Sequence, residues 1–142
     1  MSDRFAGTNI VMWTVTANED ENLLLLKSGA TLDYACIQKV LSCIYLENEG
    51  RHLCYNRFVD LSNLMEINTN LDLIRDLIQR YWKINKVDVD VKIAAYIPFG
   101  IMYSIFDFYI RESKGKNKGF ILSESIDECA EYLCVDSELL LF

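Results

Sequence analysis

The chain has 142 residues, 51% of them hydrophobic, and a formal net charge of −7. That length suits one domain, residues 1–142, with a buried core, and the negative balance argues against generic nucleic-acid binding, which relies on cationic neutralisation of phosphates. No apolar run approaches the roughly 20 residues of a membrane-spanning helix, and the opening MSDRFAGTN has no secretory core, so the expected setting is cytoplasmic.

After a loose lead-in, Ile10 to Ala17 (IVMWTVTA) is rich in strand formers, and NEDEN makes a polar turn before a second strand, Leu23 to Lys27. The two form an antiparallel hairpin. Thr31 is the expected N-cap of the first helix, with Asp33 well placed for its dipole. Cys36, Ile37, Val40, Leu41 and Ile44 supply that helix's apolar face. Leu53 to Leu61 is the third strand, and Leu71 to Trp82 the second helix, on which Leu71, Ile74, Leu77, Ile78 and Tyr81 recur at helical spacing.

Val91 to Ile97 is an apolar strand of the kind covered on both faces. Pro98 stops it and suits the first turn of a third helix, Phe99 to about Ser113. KGKNKG is a basic turn, Phe120 to Leu122 a short last strand, and Ser125-Ile-Asp-Glu128 a capping box opening the last helix. The tail ends in an apolar LLLF, which folding back could lay over the third helix. The expected class is α/β, with element order β-β-α-β-α-β-α-β-α and a mixed, mostly parallel five-stranded sheet.

The stretch Arg57 to Leu71 (RFVDLSNLMEINTNL) is the centre of this reading. Asp60 comes where an apolar strand ends, and Asn68, Thr69 and Asn70 can all cap the helix that follows. In open α/β sheets ligands and partners meet this edge. Capping alone also explains these residue types.

Here the chain resembles the STAS domain, the fold of bacterial anti-sigma-factor antagonists, and more narrowly their degenerate STAS-like bacterial relatives. Asp60-Leu61-Ser62 through Ile67-Asn68-Thr69-Asn70-Leu71 is similar to the antagonists' strand end followed by Asp-Ser-Ser-Gly. Val91 to Ile97 resembles the strand after that helix, and Gly119 to Leu133 the closing strand and helix. The resemblance implies a regulatory, protein-interaction role in signalling, with Asp60, Ser62, Asn68, Thr69, Asn70, Pro98 and Phe99 on the partner- or ligand-binding edge. It also implies a lost switch. The serine that is phosphorylated in the antagonists aligns with Asn70, and Thr69 is the one hydroxyl left in the motif as a phosphosite.

Catalysis finds little support. His52 is the sole histidine and precedes the third strand, away from the helix caps, where it reads as a surface residue. Asp60 and Glu66 could pair, but turn solvation explains both. The KGKNKG turn lacks the P-loop pattern. The five cysteines, Cys36, Cys43, Cys54, Cys129 and Cys134, include no C-x-x-C. Most read as small core hydrophobes with free thiols. With one histidine, no zinc site is expected, and no cofactor is assigned.

The third helix is a thin polar stripe in an apolar cylinder. Tyr103, Phe106, Phe108 and Tyr109 exceed what one sheet face needs. Such surplus marks an interface or a ligand groove, and the expected use is a twofold homodimer contact. Two function classes follow: a non-catalytic module docking a protein partner, or a carrier of an apolar or lipid-like ligand.

Overall fold

A computed structural model describes residues 13–45, 52–85, 91–98, 100, 103–107 and 119–141, with backbone alone at 45, 78, 79 and 81–85. The strands are β1 (Thr14–Asn18), β2 (Leu23–Lys27), β3 (Thr31–Leu32), β4 (Asn56–Asp60), β5 (Glu66–Ile67), β6 (Ile93–Tyr96) and β7 (Phe120–Ser123). The helices are α1 (Tyr34–Tyr45), α2 (Leu71–Asn85), a helical segment α3 at residues 103–107, and α4 (Ile126–Leu133), followed by a 3-10 turn, Ser137–Leu140.

The main sheet has five strands in the order β1-β2-β4-β6-β7. Only β1 and β2 run antiparallel; every other pairing is parallel. This is the expected α/β architecture. Because the parallel strands follow one another in sequence order, their C-terminal ends all emerge at one edge. The loops from β2, β4 and β6 and the start of α4 therefore meet there.

Alternation along the strands sorts the side chains onto two faces. Leu26, Val59, Ala95 and Leu122 share one register row, and Leu25, Phe58, Ala94 and Ile121 share the next. The first row faces a core built with Ile37, Val40, Leu41 and Ile44 of α1 and Ile74 and Leu77 of α2, joined by Phe106 and Tyr103 of α3. The second faces Cys129, Ala130 and Leu133 of α4. β2, written LLLLK, is sandwiched between the two, which is why four successive leucines can all be buried.

Several expectations change. Thr31 does not cap α1. It lies in β3, which pairs with β5 in a separate two-residue parallel ribbon. The Ala30 carbonyl accepts the N–H groups of Met65 and Glu66, and Trp13 Nε1 donates to the Thr31 carbonyl at 2.9 Å. These long-range bonds hold Thr31 extended, and the cap passes to Asp33, whose Oδ1 accepts the Cys36 N–H at 2.8 Å. The third strand is Asn56–Asp60, shorter than Leu53 to Leu61, because residues 52–55 turn to present His52 and Tyr55 to Glu19.

Among the described residues, Leu140 of the tail packs on the α4 face rather than on α3. Leu140 is 1% exposed and packs with Leu23, Leu25 and Phe58 on the α4 face. All five cysteines are free, but Cys54 and Cys134 are exposed and only Cys129 is fully buried. No helix among the described residues is long and apolar enough to cross a membrane.

Candidate functional site

The edge where β2, β4, β6 and β7 end carries the candidate site. Each of these strands closes its apolar run with a polar side chain: Lys27, Asp60, Tyr96 and Ser123. The register aligns all four in one row on the α4 face. The spacing of neighbouring strands sets them about 5 Å apart. The ladder continues beyond the row, with Ser28 N–H bonding the Asp60 carbonyl, Leu61 N–H the Tyr96 carbonyl and Ile97 N–H the Ser123 carbonyl. The polar row therefore sits on backbone held firmly from both sides.

Asp60 is only 9% exposed. Its Oδ1 accepts the Ser62 N–H at 2.9 Å, an Asx turn that starts the β4–β5 loop. Its charge reaches Cys129 across the α4 contact. Burial, followed by the charges of Glu128 and Asp60, pushes that thiol up to about 12. Ser123 is buried and bound within its own turn, its hydroxyl accepting the Ser125 N–H and donating to the Ser125 carbonyl. Ser125 in turn caps α4 by accepting the Glu128 N–H at 3.2 Å. The expected capping box thus keeps its Ser half, and Ser123 rather than Glu128 satisfies the Ser125 N–H.

On the other side of the sheet edge, the β4–β5 loop leads into α2. Asn70 is the N-cap, its Oδ1 accepting the Asp72 N–H at 2.7 Å. Asn68 is tied down at both ends, its N–H to the Leu32 carbonyl and its Nδ2 to Glu66 Oε1. Glu66 Oε1 also accepts from Thr31 Oγ1. Asp60 and Glu66 therefore have separate partners and do not form a carboxylate pair. Thr69 is half-buried, while Ser62 and Pro98 are exposed. Phe99, Phe108 and Tyr109 lie outside the described residues, as does most of KGKNKG. Tyr103 and Phe106 are half-buried against Leu61, Ala95 and Ile97, so much of their apolar surface serves the core.

Two features of this edge escaped the sequence reading. Met65 is 77% exposed in the loop and Leu73 51% exposed in the first turn of α2. Neither fits the apolar faces that build the core, and an apolar residue out of phase with its helix is the signal that finds Leu73. The row partners Lys27 and Tyr96 were also missed. Four strands ending in a polar residue at the same point is the pattern that reveals them.

His52 lies at the opposite edge of the sheet, as expected, but it is buried rather than on the surface. Its Nε2 is 3.2 Å from Glu19 Oε2, and Tyr55 donates its hydroxyl to Glu19 Oε1. This cluster ties the β1–β2 turn to the turn before β4 and reads as a structural clasp. Among the described residues no three His, Cys, Asp or Glu side chains gather as a metal site requires. The chain matches no family model and no curated protein.

Proposed function

We propose that the protein is a non-catalytic interaction module of STAS-like type that docks a protein partner through the edge where its parallel strands end. One observation carries this reading. At that edge the polar side chains are bonded locally, Asp60 and Asn70 accepting backbone N–H groups and Asn68 donating to the Glu66 carboxylate, while Met65 and Leu73 project apolar surface into water. Chemistry needs polar groups held in reserve, whereas docking needs exposed apolar anchors on a rigid frame. Asn70 at the helix cap supports a module that works without the antagonists' phosphorylation switch. The same module forms a twofold homodimer through the apolar side of the third helix, where Ile105 is 39% exposed.

Affinity capture with the wild type and with Met65→Ser/Leu73→Ser tests the docking edge. The expected result is a stoichiometric partner that the double variant loses. Equal capture by both removes the edge from the reading. Native mass spectrometry of the purified protein addresses the carrier alternative, since a tightly bound apolar small molecule would favour it. Sedimentation equilibrium across a wide concentration range addresses the dimer. A dimer that survives Phe108→Glu and Tyr109→Glu uses another surface.

A further inference from the structure

We propose that the free edge of β1 recognises a second copy of this chain. The two β1 strands pair antiparallel about a twofold axis at Thr16 and join the two sheets into one. This inference goes beyond the docking edge and is independent of the contact proposed for the third helix, which packs on the Ala95 and Ile97 side of the sheet.

Three observations converge on it. The first is what the edge lacks. β1 pairs with β2 over five consecutive residues, and among the described residues no strand pairs with its other side. An open edge is a template for another strand, and soluble proteins ordinarily blunt it with a lysine, a proline, a bulge or a covering segment. TVTAN has no charge and no proline, and its register with β2 is unbroken. Thr14 and Thr16 are exposed. β7, at the opposite edge, has no exposed residue, because Phe120 and Leu122 pack toward α3 and Ile121 toward α4.

The second is the fit of the edge to itself. With Thr16 on the axis, Val15 lies opposite Ala17 of the second copy, and Thr14 opposite Asn18. Val15 and Ala17 stand on the α1 face, beside Leu26 and Leu24, and pack against that core. Opposed residues share a face of the sheet, so Leu26, Val15, Ala17 and Leu24 form one apolar row across both copies. The other face presents Thr16 against Thr16 and Thr14 against Asn18, polar pairs that suit a solvated surface. A slip of one residue would set the α1 face of one copy beside the α4 face of the other.

The third is charge. A protein of net charge −7 opposes its own association, so a self-contact must keep acidic groups apart. The acidic turn Glu19-Asp20-Glu21 follows β1. Its nearest member, Glu19, is three positions beyond Thr16, which sets the two turns at least about 20 Å apart, twice the screening length of about 10 Å. The Glu19 carboxylate is also held by His52 and Tyr55.

Five paired residues make a small contact, so sedimentation equilibrium is run to about 1 mM protein. The wild type and Phe108→Glu/Tyr109→Glu are both expected to associate through the edge. Thr16→Lys and Thr16→Glu, introduced into Phe108→Glu/Tyr109→Glu, each set like charges opposite one another across the axis. Each is expected to be monomeric with an unchanged urea midpoint, since Thr16 is exposed. Mixed in equal amounts, the two set Lys against Glu and are expected to associate again.

Association that neither Thr16 variant reduces overturns the edge, and so does a mixture that stays monomeric. Loss of all association in Phe108→Glu/Tyr109→Glu overturns the edge and leaves the third-helix contact standing. The wild type matching Phe108→Glu/Tyr109→Glu at every concentration, with both lost on Thr16→Lys, supports the edge and removes the third-helix contact. Should the Thr16 variants not fold, amide hydrogen exchange on the wild type decides. Protection of β1 amides that rises with protein concentration supports the pairing, and exchange independent of concentration overturns it.

Discussion

Asn70 closes the first turn of α2 by accepting the backbone N–H of Asp72 on its side-chain oxygen at 2.7 Å. The position that resembles a phosphoacceptor is thus occupied by a cap. Asn70→Ala is expected to cost about 1 kcal/mol of stability, read as a lower urea midpoint at constant slope. Asn70→Ser keeps a capping oxygen and is expected to stay within about half a kcal/mol of the wild type. Treated with a kinase that phosphorylates anti-sigma-factor antagonists, the wild type is expected to stay unmodified at 68–71 or to be modified at most on Thr69. Stoichiometric phosphate on Thr69 that Thr69→Ala abolishes would overturn the reading that this edge works without phosphorylation.

Leu140 and Leu141 are adjacent but differ sharply in burial, at 1% and 67% exposed. Leu140→Ala is expected to destabilise by about 2–5 kcal/mol, through lost burial and the cavity left among Leu23, Leu25 and Phe58. Leu141→Ala should fall within about 0.5 kcal/mol of the wild type. Similar costs for both would show that the tail does not pack on the α4 face.

Gly119 has a φ of +79°, and a Cβ there would lie 2.9 Å from the Val91 carbonyl oxygen. The approach is fixed because the Gly119 carbonyl accepts the Ile93 N–H at 2.8 Å, which starts the β6–β7 pairing. Gly119→Ala therefore combines left-handed strain with a backbone clash. A loss of about 1–3 kcal/mol is expected in thermal or urea unfolding. A neutral result would contradict this close approach.

Cys134 ends α4 at φ 60°, ψ 42°, with its N–H bonded to the Ala130 and Glu131 carbonyls. This left-handed position favours glycine, and the thiol side chain is exposed. Cys134→Gly is expected to raise stability by up to about 1 kcal/mol, since it relieves backbone strain without opening a cavity. A fall in melting temperature would count against the cap.

The Cys129 thiol donates to the Ala95 carbonyl at 3.8 Å, and burial pushes its pKa from an ordinary 9.0 to about 12. Between those values the unfolded chain releases a proton that the folded chain keeps. Stability from this group is therefore constant below pH 9.0 and falls as pH rises through the window to about 12. Urea midpoints near pH 8 and about pH 10 are expected to separate less in Cys129→Ala than in the wild type. Alkylation near pH 8 should label Cys54 and Cys134 first and Cys129 only on unfolding.

Local chemistry made much of this molecule legible in one dimension. The run LLLLK gave β2 to the residue because four leucines followed by a lysine admit few alternatives. Ser125 declared the start of α4, since a capping hydroxyl three residues before a glutamate satisfies a need that arises within one turn. The alternation of strands and helices indicated a mostly parallel sheet. Tertiary structure alone decided what depends on segments far apart in the chain. Thr31 became a strand because Met65 and Glu66 reach the Ala30 carbonyl, which took the cap to Asp33. His52 is buried because Glu19 comes to meet it. The row of Lys27, Asp60, Tyr96 and Ser123 exists only through register, which is set by hydrogen bonds between strands and is carried by no single segment.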